Sequence, residues 1–188
     1  NTRLVGSEMC IRDSLYADMS HRVMTIISRF IPDVEVYSID EAFLKIQGYE
    51  KYDLFEYASK MRNTILKWTG IPTSIGIAST KSLSKISNKI ARKYPNKTKH
   101  VHILDTDSKR VKALNYFALN DIWGIGRRLS KRLQNIGCKN ALDFVNLPEQ
   151  WVKSNLSIVE LKIQQELKGV SNLDLDSLKI KKSIATTR

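Results

Sequence analysis

Cysteine is nearly absent from this chain of 188 residues: Cys10 and Cys138 are the only two. Two thiols are too few for a disulfide scaffold or a four-cysteine zinc site. Both are read as reduced thiols of a cytosolic protein, with Cys138 at the edge of a helix. Long apolar runs are also missing. None approaches the roughly 20 residues that a helix needs to span a bilayer, and the first fourteen residues hold no apolar core of a secretory signal. There is no internal repeat. Acidic charge is scarce in one part of the chain only. Residues 1–78 carry 9 Lys/Arg against 10 Asp/Glu, whereas residues 79–188 carry 22 against 9.

What is present is a hydrophobic fraction of 42%, enough for a globular core, and a net charge of +12. A sequence pI near 9.7 points to a polyanionic partner, either nucleic acid or an anionic membrane surface. The split between a nearly neutral first part and a strongly basic second part suggests a catalytic or structural portion joined to one that grips a polyanion.

Periodicity divides the chain further. Residues 1–14 show no usable pattern; the stretch VGSEMCIRDS resembles a translated sequencing adapter and is set aside as artefactual. From Leu15, apolar residues Met19, Val23, Ile26, Ile27 and Phe30 recur at helical spacing, and Pro32 ends the run. Strands are predicted at Val34–Ser38 and Phe43–Ile46. A second helical stripe follows, made of Leu54, Tyr57, Ala58, Met61, Ile65 and Trp68, and then a strand over Thr73–Ala78. This α-β-β-α-β order is a ferredoxin-like βαββαβ unit without its first strand. A helix over Lys81–Tyr94, capped by Thr80, and a strand VHIL at 101–104 that returns to the same sheet complete the α+β portion. Short helices are predicted near 108–118, 127–136, 140–146 and 157–168, before a polar, lysine-dotted stretch at 171–188.

Three motifs carry chemistry. In VEVYSIDEAF, 34–43, Asp40 and Glu41 are neighbours that a straight strand would point to opposite faces. At a hairpin tip both can reach one cleft, where a divalent cation relieves their repulsion; oxygen-only ligands favour magnesium. An Asp-Glu pair is otherwise ordinary turn chemistry, and the apolar strands on both sides argue for the metal. Ser38 is read as a packing residue of the hairpin. On the next motif, Lys81, Lys85 and Lys89 stand four apart, with Arg92 and Lys93 one turn on, opposite an apolar face of Leu83, Ile86, Ile90 and Tyr94. Like charges at that spacing repel, and a polyanion would relieve them; a solvated face is the plainer alternative. Finally, DIWGIGRRLSKRLQNIGC, 121–138, sets Gly124, Ile125 and Gly126 between helical segments. Glycines there let a phosphate approach backbone amides. Arg127, Arg128, Lys131 and Arg132 add charge without sequence readout, and Ile122, Ile125, Leu129, Leu133 and Ile136 supply the core.

Together LYADMSHRVM, VEVYSIDEAF, IGIASTKSLSKISNKIA and DIWGIGRRLSKRL resemble the Y-family translesion DNA polymerases, in particular their UmuC branch. The resemblance runs from Leu15 to the C-terminus. It implies a partial palm over 15–107, a helical thumb with a helix-hairpin-helix over 108–170, and a linker over 171–188 towards a little-finger domain. It implies that Asp40 and Glu41 are two of three metal-binding carboxylates in a two-magnesium site. Lys85 and, by spacing, Arg92 or Lys93 would contact the nucleotide or DNA, joined by Lys81 and Lys89. DNA-backbone contacts would fall on Gly124, Ile125, Gly126 and the basic residues after them. The strand with the first metal-binding aspartate and the fingers have no counterpart here, so the resemblance is to an internal fragment, expected to be inactive alone.

The implied reaction is template-directed nucleotidyl transfer on damaged DNA in repair and the SOS response, by a cytoplasmic enzyme acting on primer-template DNA and dNTP. A UmuD-type subunit, RecA and the sliding clamp are implied as partners, and no membrane. Two other readings stand beside it. One is a non-catalytic DNA-binding module; the other is a nucleotidyl cyclase with a related palm, which gives no reason for the glycine hairpin or the basic second half.

Overall fold

The computed structural model describes residues 3–173 and residue 175. Among these the chain forms two compact units, one comprising residues up to Tyr52 with Asn63–Pro72, the other Asp53–Arg62 with Thr73–Leu173. The linker expected over 171–188 lies, past residue 173, outside the described residues except for residue 175.

The first unit opens with α1, Arg3–Phe30. The helix extends through the segment that showed no usable pattern. Residues 3–14 hold one glycine and no proline, so nothing stops propagation from the periodic stretch behind them. Val23 and Ile26 are buried as the spacing required, whereas Leu15 is exposed. Next come β1, Val34–Val36, and β2, Ala42–Leu44, both shorter than predicted. They pair antiparallel with Val34 opposite Leu44 and Val36 opposite Ala42. Phe43 is buried, with the Tyr37 ring edge-on to it at 5.7 Å between centroids.

α2, Leu54–Thr69, buries Ala58, Met61 and Ile65 at the predicted spacing. Trp68, placed in the same stripe by periodicity, is instead exposed, with the Arg29 guanidinium over its ring at 5.9 Å. An indole presents a large π-face, and a cation over it compensates in part for incomplete burial.

The second unit is built on a parallel βαβ element. β3, Ile75–Ala78, leads through α3, Lys81–Lys93, and the short α4, Pro95–Thr98, to β4, Val101–Leu104. Ile75 lies opposite Val101 and Gly76 opposite His102. Gly76 permits this packing. A Cβ there would lie 2.1 Å from the backbone nitrogen of Asn88 and 2.4 Å from the carbonyl oxygen of Ser84, so only a glycine lets α3 rest directly on the strand. Thr80 caps α3, its hydroxyl accepting from Leu83 N–H, as expected.

The helices that follow are α5, Asp107–Tyr116, α6, Arg127–Asn135, α7, Ala141–Val145, α8, Glu149–Asn155, and α9, Ile158–Lys168. One core joins them to the βαβ element: Leu83, Ile86 and Leu104 pack in the same cluster as Leu114, Phe117, Leu133, Phe144 and Leu167. α8 escaped the periodicity reading because Val152 is its one fully buried residue. Ile136, assigned to the core, is exposed where α6 ends, while Cys138 two residues on is buried.

The single ferredoxin-like sheet expected from the strand order is not formed among the described residues. The strands make two separate two-stranded sheets, β1 with β2 and β3 with β4. β4, expected to return to one common sheet, pairs in parallel with β3.

Candidate functional site

In the first unit the sequence that joins β1 to β2 is a tight loop, Tyr37 to Glu41. The amides of Tyr37 and Ser38 both donate to the Glu41 carbonyl oxygen, each at 3.0 Å, and close it. Asp40 and Glu41 therefore sit side by side at the hairpin tip, where the sequence placed them, and both are exposed. Ser38, read as a packing residue, has a different task. Its hydroxyl donates to Oδ1 of Asp40 at 2.7 Å. A hydroxyl two residues before a carboxylate in a turn is placed for such a bond, which orients Asp40 and leaves Oδ2 open to a ligand. Carboxylate oxygens on an exposed loop suit a hard divalent cation in kind. Among the described residues no group of three or more His, Cys, Asp or Glu side chains is placed to hold a metal.

In the second unit the lysine row of α3 is not a bare stripe facing solvent. Lys85 Nζ stands 4.9 Å from the centroid of the Trp123 ring. Lys89 donates to the backbone carbonyl of Asp121 and, at 3.2 Å, to its carboxylate. Lys93 lies 4.8 Å over Tyr116, whose hydroxyl accepts from that of Tyr94 at 2.9 Å. Contact with Tyr116 raises the Lys93 pKa and, in return, Lys93 lowers that of the Tyr116 phenol. The row is thus half-buried at Lys81, Lys85 and Lys89, and exposed at Arg92 and Lys93. Each of the three contacts is made to the segment 116–123, which ends at the glycine hairpin. Two motifs 30 to 40 positions apart in the sequence are in this way brought into contact.

The hairpin itself differs from two helices around a turn. Its first arm is a single 3₁₀ turn, Leu119–Asp121, and the second is α6. Only seven residues separate Ala118 from Gly126, and the apolar anchors Leu119, Ile122 and Ile125 are each buried, which leaves no length for a full first helix. Gly124 takes φ of +88° and Gly126 is the N-cap of α6. No side chain caps that end. The first orphan amides of a helix otherwise seek a side-chain oxygen or an anion. By contrast, the start of α3 is covered from within the protein, by Thr80 and by the Glu166 carboxylate. Arg127, Arg128, Lys131 and Arg132 are all exposed around α6; Arg132 also donates to the Asn155 carbonyl.

Sequence reasoning missed two polar residues of α9. Gln164 is fully buried and its amide donates to the carbonyls of Phe144, Val145 and Leu147, closing the end of α7. Glu166 is buried as well. Nothing in the stretch KIQQELK separates a buried Gln or Glu from a solvated one.

Residues 11–89 match the family model described as IMS, the impB/mucB/samB family. The chain is 38% identical over 163 residues to Protein UmuC of Salmonella typhimurium, covering 86% of this chain and 39% of that protein. It is 37% identical over 147 residues to a DNA polymerase IV of Picrophilus torridus, covering 78% of this chain and 40% of the relative. The chain therefore spans about two fifths of the length of these curated relatives. Among solved structures, it superposes on the insertion ternary complex of Dbh DNA polymerase with a TM-score of 0.71 at 25% identity, over 87% of this chain and 47% of that one. A DinB family error-prone DNA polymerase from Sulfolobus solfataricus matches with a TM-score of 0.71, also at 25% identity, over 88% and 49%.

Proposed function

Because the chain belongs to the impB/mucB/samB family, we propose that it is part of a cytoplasmic translesion DNA polymerase that joins deoxynucleoside triphosphates to a primer end opposite damaged template. The observation that carries this reading is the Asp40–Glu41 pair at the tip of the β1–β2 hairpin, inside the matched residues and with Asp40 oriented by Ser38. Asp40 and Glu41 would hold magnesium. When bound, the ion makes the primer 3′-hydroxyl more acidic and offsets charge on the triphosphate.

The rest of the chemistry belongs to the second unit. Lys85 and Lys89, each steadied by a partner in the 116–123 segment, offset negative charge on phosphates, and Arg92 extends that field at the exposed end of α3. The uncapped start of α6 offers backbone amides to a DNA phosphate, and Arg127, Arg128 and Lys131 add long-range attraction that carries no sequence preference. Among the described residues no third carboxylate joins Asp40 and Glu41, and the 188 residues by themselves would bind a cation and DNA without extending a primer. A UmuD-type subunit, RecA and the sliding clamp are the partners proposed for the longer protein.

A non-catalytic DNA-binding module is supported by one observation: the lysine row and the glycine hairpin belong to one compact unit that contains neither carboxylate. A paramagnetic cation separates the two. With Mn2+ standing in for Mg2+, NMR signals of residues 38–42 should broaden in the wild-type chain and keep their intensity in Asp40→Asn. Uniform behaviour of the two proteins would leave the DNA-binding module as the better account.

A further inference from the structure

Among the described residues, Glu166 of α9 is the only acidic or basic residue that is fully buried, at 0% exposure. An unpaired carboxylate in such a place is costly, so its partners define its role. Those partners come from two separate stretches of chain. One oxygen, Oε2, accepts from the amide of Ser82 in the first turn of α3 at 3.2 Å. The other, Oε1, accepts from the amides of Asn172 at 2.7 Å and Leu173 at 3.2 Å. A second tie runs through the backbone, where the Thr80 hydroxyl donates to the Glu166 carbonyl at 2.8 Å.

The exit from α9 is shaped for this arrangement. Gly169 adopts φ of +94°, a left-handed turn that reverses the chain and returns residues 172 and 173 to the carboxylate. Arg110 of α5 closes the same end by donating to the carbonyls of Leu167 and Lys168. A plain helix cap would need one oxygen; here both are used, each by a different stretch of chain.

We infer that Glu166 is a positioning residue whose carboxylate yokes the start of α3, and with it the Lys85 row, to the chain that leaves α9. A displacement of Asn172 and Leu173 is then felt at the lysine helix. The assignment of a phosphate to Lys85 rests on the proposed function, whereas the mechanical coupling does not.

Amide exchange followed by NMR on the 188-residue chain tests the coupling. Asn172→Pro removes one donor from Oε1 at an exposed position and leaves α3 untouched. Oε1 then re-centres on Leu173 and draws Oε2 away from Ser82, so exchange at the Ser82 amide should rise about tenfold, the scale of one charge-assisted bond. In a Glu166→Gln chain the same substitution should add nothing at Ser82. Unchanged Ser82 exchange after Asn172→Pro in the native background overturns the inference, since the two oxygens then act as independent caps. That comparison decides alone if Glu166→Gln does not fold. Primer-template binding measured on the same samples keeps the two claims apart: coupling without DNA binding removes the proposed function, and DNA binding without coupling removes the yoke.

Discussion

Gly76 and His102 face each other across the parallel pair, and each sets a limit that a single substitution reveals. At Gly76 a methyl group would collide with backbone atoms of α3, 2.1 Å from one and 2.4 Å from another. Backbone cannot rotate aside as a side chain can, so Gly76→Ala should cost about 1–3 kcal/mol. A lower urea midpoint with an unchanged slope would register it, and an unshifted midpoint would refute the close approach. His102 is held by Ser87, whose hydroxyl donates to the His102 carbonyl and therefore accepts from Nδ1–H, each at 2.8 Å. Burial, with the Lys109 charge second, lowers the imidazole pKa below its ordinary 6.5. The unfolded chain thus takes up this proton first as pH falls. The stability contribution is complete above 6.5 and is lost as pH drops through the depressed native value. Denaturation midpoints should decline over that acidic window in the wild type and decline less in His102→Gln; equal declines would exclude His102 as a source.

Among the elements, α6 and α3 differ at their first turns, and the difference is testable. α3 receives a hydroxyl and a carboxylate, while α6 begins at Gly126 with no side-chain cap and open space around its Cα. An aspartate at Gly126 would cap α6 and complement its dipole, a gain of a few tenths of a kcal/mol over glycine. The same carboxylate would occupy the place of a phosphate. Gly126→Asp should therefore raise thermal stability slightly while weakening DNA binding. If calorimetry and fluorescence anisotropy show both rising together, the α6 terminus is not a phosphate contact. At this scale the sequence was informative where a local rule decides. Thr80 as a cap, the Leu83–Ile86 face and the turn at Gly124 follow from spacing and φ preferences. The shortened first arm of the hairpin does not, because it depends on how closely Leu119, Ile122 and Ile125 must be buried in succession.

Over the whole molecule, legibility followed the reach of the interactions. The carboxylates at a hairpin tip, the basic second part and the order of elements, α4 and α8 apart, were readable because each depends on neighbours in the chain. The seating of Lys85 on Trp123, of Lys89 on Asp121, and of Glu166 between α3 and residue 172 was not, since these pairs are 32 or more positions apart except for the last. The single sheet was wrongly inferred for a related reason: strand order fixes which strands exist, whereas pairing is fixed by which edges meet. The core extends across residue 107, the boundary that the resemblance implied: Leu104 and Leu114 pack in one cluster.

The central claim is that the basic unit grips the phosphate backbone through α6 rather than through diffuse positive charge. Anisotropy of a labelled primer-template, titrated with the chain from about 50 to 200 mM salt, tests it, since log affinity falls with log salt at about 0.9 per phosphate neutralised. Replacing Arg127 and Arg128 with alanine should flatten that slope by about 2. The charge-matched control, Lys51→Ala with Lys67→Ala at exposed positions of the first unit, should leave it unchanged. Equal flattening by both pairs would contradict the account.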